Sequence, residues 1–162
     1  MKDNNRLFQI LSLLFSYPEE WLDYDILSEV ETLENEKAAQ FLRTFLEEIE
    51  QQDRDLLIVD YIRCFDFNET TNLYLTANLE ERKRGQAMAE LKNSYSVAGF
   101  TMTEEELPDY LPLVLEFCSL IPADSNNLLK QLRPALERLK KNLSEINSPY
   151  IHLLNALFLV ME

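Results

Sequence analysis

LPDYLPLVLEF, residues Leu107 to Phe117, sets the reading of the rest of the chain. Proline has no amide proton and its ring clashes with the preceding helical turn, so Pro108 and Pro112 belong before a helix or in its first turn. The helix they open is strongly apolar, and other helices must cover it. Asp109 falls at its mouth. There the carboxylate can accept from free backbone amides and favour the positive end of the helix dipole, or it can turn outward to a cationic ligand. Such a corner builds a docking surface rather than a catalytic centre.

Working outward, apolar residues recur at spacings of three and four, and only Gly85 and Gly99 are available for tight turns. Both facts predict an all-helical protein. Leu7, Ile10, Leu11, Leu14 and Phe15 make a first helix that stops before Tyr17-Pro18, because a residue before proline is pushed out of the helical region. Trp21 to Glu31 reads as a second, shorter helix. Phe41, Leu42, Phe45, Leu46 and Ile49 form the stripe of a third, and Leu57, Ile58, Tyr61, Ile62 and Phe65 that of a fourth. Asp66 to Thr71 is a loop and Leu73 to Leu79 a short segment. A long helix then runs from Glu80 to Val97 and closes on Gly99 as a left-handed cap. Asp124 or Ser125 caps the next helix, in which Pro134 predicts a kink or a division in two. Ser148-Pro149 starts a last helix that ends at Glu162. No repeat or linker divides residues 1–162, so the expectation is a single domain, and at this length folding buries roughly 70% of the unfolded chain's surface.

Charge narrows the partners. Fifteen basic residues against twenty-nine acidic ones leave a formal net charge of -14, with eight acids and no Lys or Arg between Glu19 and Glu36. That field repels nucleic acid and anionic lipid and favours basic partners. Leu7 to Phe15 does not read as a signal peptide, since Asp3 lies in its would-be basic region and no small-residue cleavage site comes after it. Leu153 to Met161 falls well short of the ~20 residues that span a bilayer. Cys64 and Cys118 match no zinc or disulfide spacing and read as apolar residues of a reducing compartment. The expected location is cytoplasmic.

Catalytic signatures are missing. His152 is the only histidine. The Glu-x-x-His pairs of a di-iron bundle are therefore excluded, and no HExxH, EF-hand loop or phosphate-binding glycine loop is found. The chain reads as a non-enzyme with no cofactor or metal of its own. Arg82, Lys83 and Arg84 read as an exposed helix face with internal ion pairs.

Four segments together resemble one family: LLFSYP (Leu13 to Pro18), YIRCFD (Tyr61 to Asp66), RGQAM (Arg84 to Met88) and LPDYLPLVLEF. The likeness is to the NarJ-type chaperones for assembly of respiratory nitrate reductase, within the wider NarJ/TorD/DmsD group, and it covers roughly residues 7–122. It implies a compact TorD-like bundle of about seven to nine helices. It also implies a dedicated assembly chaperone that binds the amino-terminal tail of the catalytic (alpha) subunit. The chaperone would hold that apo-subunit competent for molybdenum cofactor insertion and keep it from docking prematurely on its membrane partner, itself existing as a monomer or a swapped dimer. Wider-family members often carry Asp-His where this chain has Asp109-Tyr110, so Tyr110 offers only a hydroxyl and a ring face. Longer relatives continue past the point matching Glu162 with a polar tail.

The tail of such a client is expected to be basic beside apolar residues. The expected peptide groove lies between Asp109, Tyr110, Pro112, Leu113 and Glu116 on one side and Phe65 and Asp66 on the other, with Tyr74 beside them. Asp109 and Glu116 are the carboxylates expected to meet a peptide cation, while Asp109 also reads as a helix cap and Phe65 as core. A helical adaptor that binds another basic helix is the rival reading.

Overall fold

Stripes of Leu, Ile and Phe at helical spacing bury themselves by packing helix on helix, and a computed structural model shows how. It describes residues 2–102 and 105–161. Eight α-helices are present among the described residues: α1 (Lys2–Phe15), α2 (Ile26–Val30), α3 (Glu36–Glu50), α4 (Arg54–Tyr61), α5 (Glu81–Val97), α6 (Leu111–Leu120), α7 (Pro122–Glu145) and α8 (Ile151–Val160). The protein is a compact all-α bundle. Glu162, where the sequence reading ends the last helix, lies outside the described residues.

Helix α1 lies along α6 and α3 along α8, while α8 also touches α1 and α7 covers both α6 and α8. One continuous core results. At its centre Phe15, Trp21, Phe45, Tyr61, Phe65 and Tyr150 interlock, with Phe65 4.8 Å from Tyr150 and 4.9 Å from Tyr61 between ring centroids. These rings come from three helical segments and from the turns after α1 and before α8, so the aromatic cluster ties together parts of the chain distant in sequence.

Three boundaries depart from expectation. The second helix begins only at Ile26, because Asp25 caps it through the Ser28 amide at 3.2 Å, and Trp21 sits instead in a buried turn. Helix α7 opens on Pro122 rather than on Asp124 or Ser125, using proline's preset geometry in the first turn. It is not divided at Pro134, which is exposed, so water can satisfy the carbonyl whose helical partner is missing. Other signals hold: α1 stops ahead of Tyr17-Pro18, and Gly99 has φ +78°.

The fourth helix continues as a single π-helical stretch, Ile62–Asp66. Leu57, Tyr61 and Phe65 are four apart, a spacing that drifts around a regular α-helix. The wider turn cancels that drift and keeps all three on the buried face. Asp66 emerges from the same turn into solvent.

Candidate functional site

In an otherwise helical protein, Tyr74 and Tyr110 form an isolated antiparallel bridge. The Leu75 amide donates to the Asp109 carbonyl at 3.1 Å and the Leu111 amide to the Leu73 carbonyl at 2.8 Å. Across this bridge the two tyrosine rings lie 5.1 Å apart. Their remaining main-chain groups are used locally, by Asn72 and Ala77 for Tyr74 and by Leu107 and Val114 for Tyr110. The bridge therefore leaves no strand edge for a third chain, and any partner here must be read through side chains.

The carboxylates arrange themselves around rings. Tyr17 donates to Asp66 Oδ2 at 2.9 Å, and Tyr74 donates to Glu106 Oε1 at 2.6 Å. Among the described residues the second oxygen of each carboxylate has no protein donor, which leaves it available to an incoming one. Tyr17 packs at a tilt, 5.0 Å between ring centroids, on Tyr61, whose hydroxyl donates to the Phe15 carbonyl at the centre of the core. Tyr17, Tyr74 and Tyr110 thus line one corner, backed by buried Tyr61 and edged by Asp66 and Glu106.

The same corner shows in the acidity of its rings. Tyr110 is pushed up to about 12, first by burial and then by the carboxylates of Glu106, Asp66 and Glu20, against an opposing hydrogen bond with Tyr61. Tyr17 also rises to about 12, by burial and then by its bond to Asp66. Tyr74 rises for burial and for Glu106. The Glu106 carboxylate acts on all three rings. Tyrosines in the unfolded chain ionise near 10.0. The unfolded state therefore loses protons first, and stability is expected to fall as pH climbs from about 10 to about 12. Tyrosinate absorbance should follow the loss of helical circular dichroism rather than precede it.

Not every residue expected in the groove reaches it. Tyr74, Tyr110 and Asp66 do meet at this corner. Leu113 is half-buried and Glu116 exposed, and with Leu120 they extend from Tyr110 along the outward stripe of α6. Phe65 is a correction, being 3% exposed within the aromatic cluster. Pro112 is also buried, with its carbonyl accepting from Ser12 of α1 at 2.6 Å.

Asp109 is the sharpest departure, at 0% exposure. It does not cap α6, whose N-cap is Tyr110 with no side-chain bond. Its Oδ2 accepts instead from the amide of Thr76 at 3.0 Å and the hydroxyl of Thr76 at 2.6 Å. Arg84 approaches to 4.0 Å, so that member of the basic cluster faces inward while Arg82 and Lys83 stay exposed.

The residues that sequence reasoning missed are Tyr17 and Glu106. Tyr17 lies within LLFSYP and Glu106 just before LPDY, but nothing local reveals that the fold joins them.

Other reactive groups are quiet. Burial pushes the Cys118 thiol up to about 12 and raises Cys64 as well, so neither is primed as a nucleophile. His152 pairs with Glu48 at 3.0 Å, joining α8 to α3. Among the described residues no group of three or more His, Cys, Asp or Glu could hold a metal ion, and no helix is long and apolar enough to cross a membrane.

Fold and site together define an all-helical protein whose distinctive surface is aromatic and acid-edged. A family profile described as nitrate reductase delta subunit matches residues 31–156. The chain is 36% identical to a "probable nitrate reductase molybdenum cofactor assembly chaperone NarJ" of Bacillus subtilis, over 99% of this chain and 90% of that protein. It is 31% identical to the nitrate reductase molybdenum cofactor assembly chaperone NarJ of Escherichia coli K12, over 91% of this chain and 66% of that protein. A nitrate reductase-like protein, NarX, of Mycobacterium tuberculosis is 30% identical over 74% of this chain but only 19% of its own length. The chain belongs to the NarJ-type family of nitrate reductase assembly chaperones.

Proposed function

We propose that this protein binds the amino-terminal tail of the apo catalytic subunit of nitrate reductase in the cytoplasm. Bound there, the subunit stays open for molybdenum cofactor insertion and away from its membrane partner. The chaperone itself performs no chemistry on the cofactor. The observation that carries this reading is the tyrosine corner edged by Asp66 and Glu106, in a chain with a net charge of -14. A guanidinium or ammonium group can lie against the faces of Tyr17, Tyr74 and Tyr110 while donating to the free carboxylate oxygens. Leu113 and Glu116 continue the surface along α6 toward the apolar part of the tail. Ordering a flexible tail costs a few kcal/mol, which apolar contact must offset, while charge sets orientation and rate.

Calorimetry with a synthetic peptide copying the client's amino terminus tests the assignment. Asp66→Asn with Glu106→Gln is expected to weaken binding by about 1 to 3 kcal/mol, that is roughly 5- to 150-fold, and to flatten its salt dependence. Asp66 is exposed and Glu106 half-buried, and each amide keeps an oxygen to accept from its tyrosine, so the thermal midpoint should move little. Unchanged affinity in the double variant would remove the corner from the interface, and no binding by the unaltered chain would remove the function.

A further inference from the structure

We infer that Thr76 and Arg84, acting through the buried carboxylate of Asp109, are the positioning residues of the tyrosine corner; this rests on the peptide-binding role proposed above. The bonds form a directed relay. Arg84 Nε donates to Thr76 Oγ1 at 3.4 Å, and that hydroxyl donates in turn to Asp109 Oδ2 at 2.6 Å. The Thr76 amide donates to the same oxygen at 3.0 Å, while the main chain of Asp109 accepts from Leu75. Asp109 thus grips residues 75–76 with both side chain and backbone, one step from Tyr74 on that strand and one step from Tyr110 on its own. The position of the Tyr74 ring over Tyr110 is set by this grip.

Stability alone does not account for the arrangement. A carboxylate withdrawn from water is costly to hold unless fully partnered, and here Oδ1 is buried with no hydrogen bond among the described residues. A helix cap would explain an acid at this point, but Tyr110 holds the cap position. A half-satisfied buried charge beside a binding surface is what remains when geometry at that surface is worth more than the bond it lacks. Arg84 adds a reason for the direction of the relay. Its Nε–H occupies a lone pair of the Thr76 hydroxyl oxygen, which leaves the hydroxyl's own proton for Asp109.

Thr76→Val, Thr76→Ser and Arg84→Gln separate positioning from mere support. Thr76→Val keeps the shape and the amide but loses the hydroxyl. In the free protein it should lose the nuclear Overhauser contact between the Tyr74 and Tyr110 rings, and peptide affinity should drop about tenfold while its salt dependence is kept. Thr76→Ser should restore both ring contact and affinity. Arg84→Gln, on a half-exposed side chain, should give a smaller loss of the same two readouts. A Thr76→Val protein that keeps the ring contact, or one that loses thermal stability with affinity intact, overturns the inference. The ring contact is read without peptide, so it decides the matter even if the unaltered chain fails to bind the tail, an outcome that instead sinks the proposed function.

Discussion

Phe65→Ala should lower the unfolding free energy by about 3 to 5 kcal/mol. Its ring is 3% exposed and meets Phe15, Tyr61 and Tyr150 at 6.5, 4.9 and 4.8 Å. Truncation opens a cavity where three separate segments converge, and a rigid aromatic cluster can collapse into it only partly. Against a total stability of about 5 to 15 kcal/mol for ordinary domains, that loss is severe. Urea denaturation would show it as a lower midpoint at unchanged slope. A variant of normal stability that no longer takes the client peptide would instead return Phe65 to the binding surface. The two outcomes are distinct because the motif YIRCFD supplies both a core anchor and, one residue on, the exposed acid of the docking corner.

Asp109→Ala should be nearly as damaging, at about 2 to 4 kcal/mol. The substitution removes two bonds to a charged acceptor, strands the Thr76 amide and leaves Arg84 without its buried counter-charge. Glu116→Ala, in an exposed side chain on the neighbouring helix, should stay within about 0.5 kcal/mol of the parent. The two acids of one apolar segment are thus expected to part company: one is bound into the interior, the other only edges a surface. Paired denaturation curves decide it. Equal, small effects for both would show that Asp109 is not bound into the interior.

The contrast between these acids shows where sequence reading succeeds. Signals that act within a few residues are legible: Tyr17-Pro18 ends α1, Gly99 takes the left-handed cap and the apolar stripes place α1 and α3. Each depends on local backbone geometry alone. Asp109 defeats such a reading because its partner, Thr76, lies 33 residues earlier and is brought to it only by the Tyr74–Tyr110 bridge. The Asp66 end of the groove is legible in the motif that carries it, whereas Tyr17 and Glu106 join it only when the fold closes α1 and the loop before α6 onto the same corner. The division in two that Pro134 offered as an alternative to a kink does not occur, since exposure lets water stand in for the missing bond.

Helix α5 carries a consequence of its own. It is seventeen residues long, yet Leu91 and Tyr95 are its only buried side chains. Tyr95 fastens the carboxyl-terminal end by packing on Phe100 and Phe117 and donating to the Pro108 carbonyl at 2.6 Å, whereas Arg84 alone reaches inward from the first turn. Amide hydrogens along that first half should therefore exchange with solvent long before those of α1 or α6, through a partial opening that leaves the central rings undisturbed. The first half of α5 is thus expected to be the less firmly held part of the bundle, and it carries the arginine that reaches the docking corner.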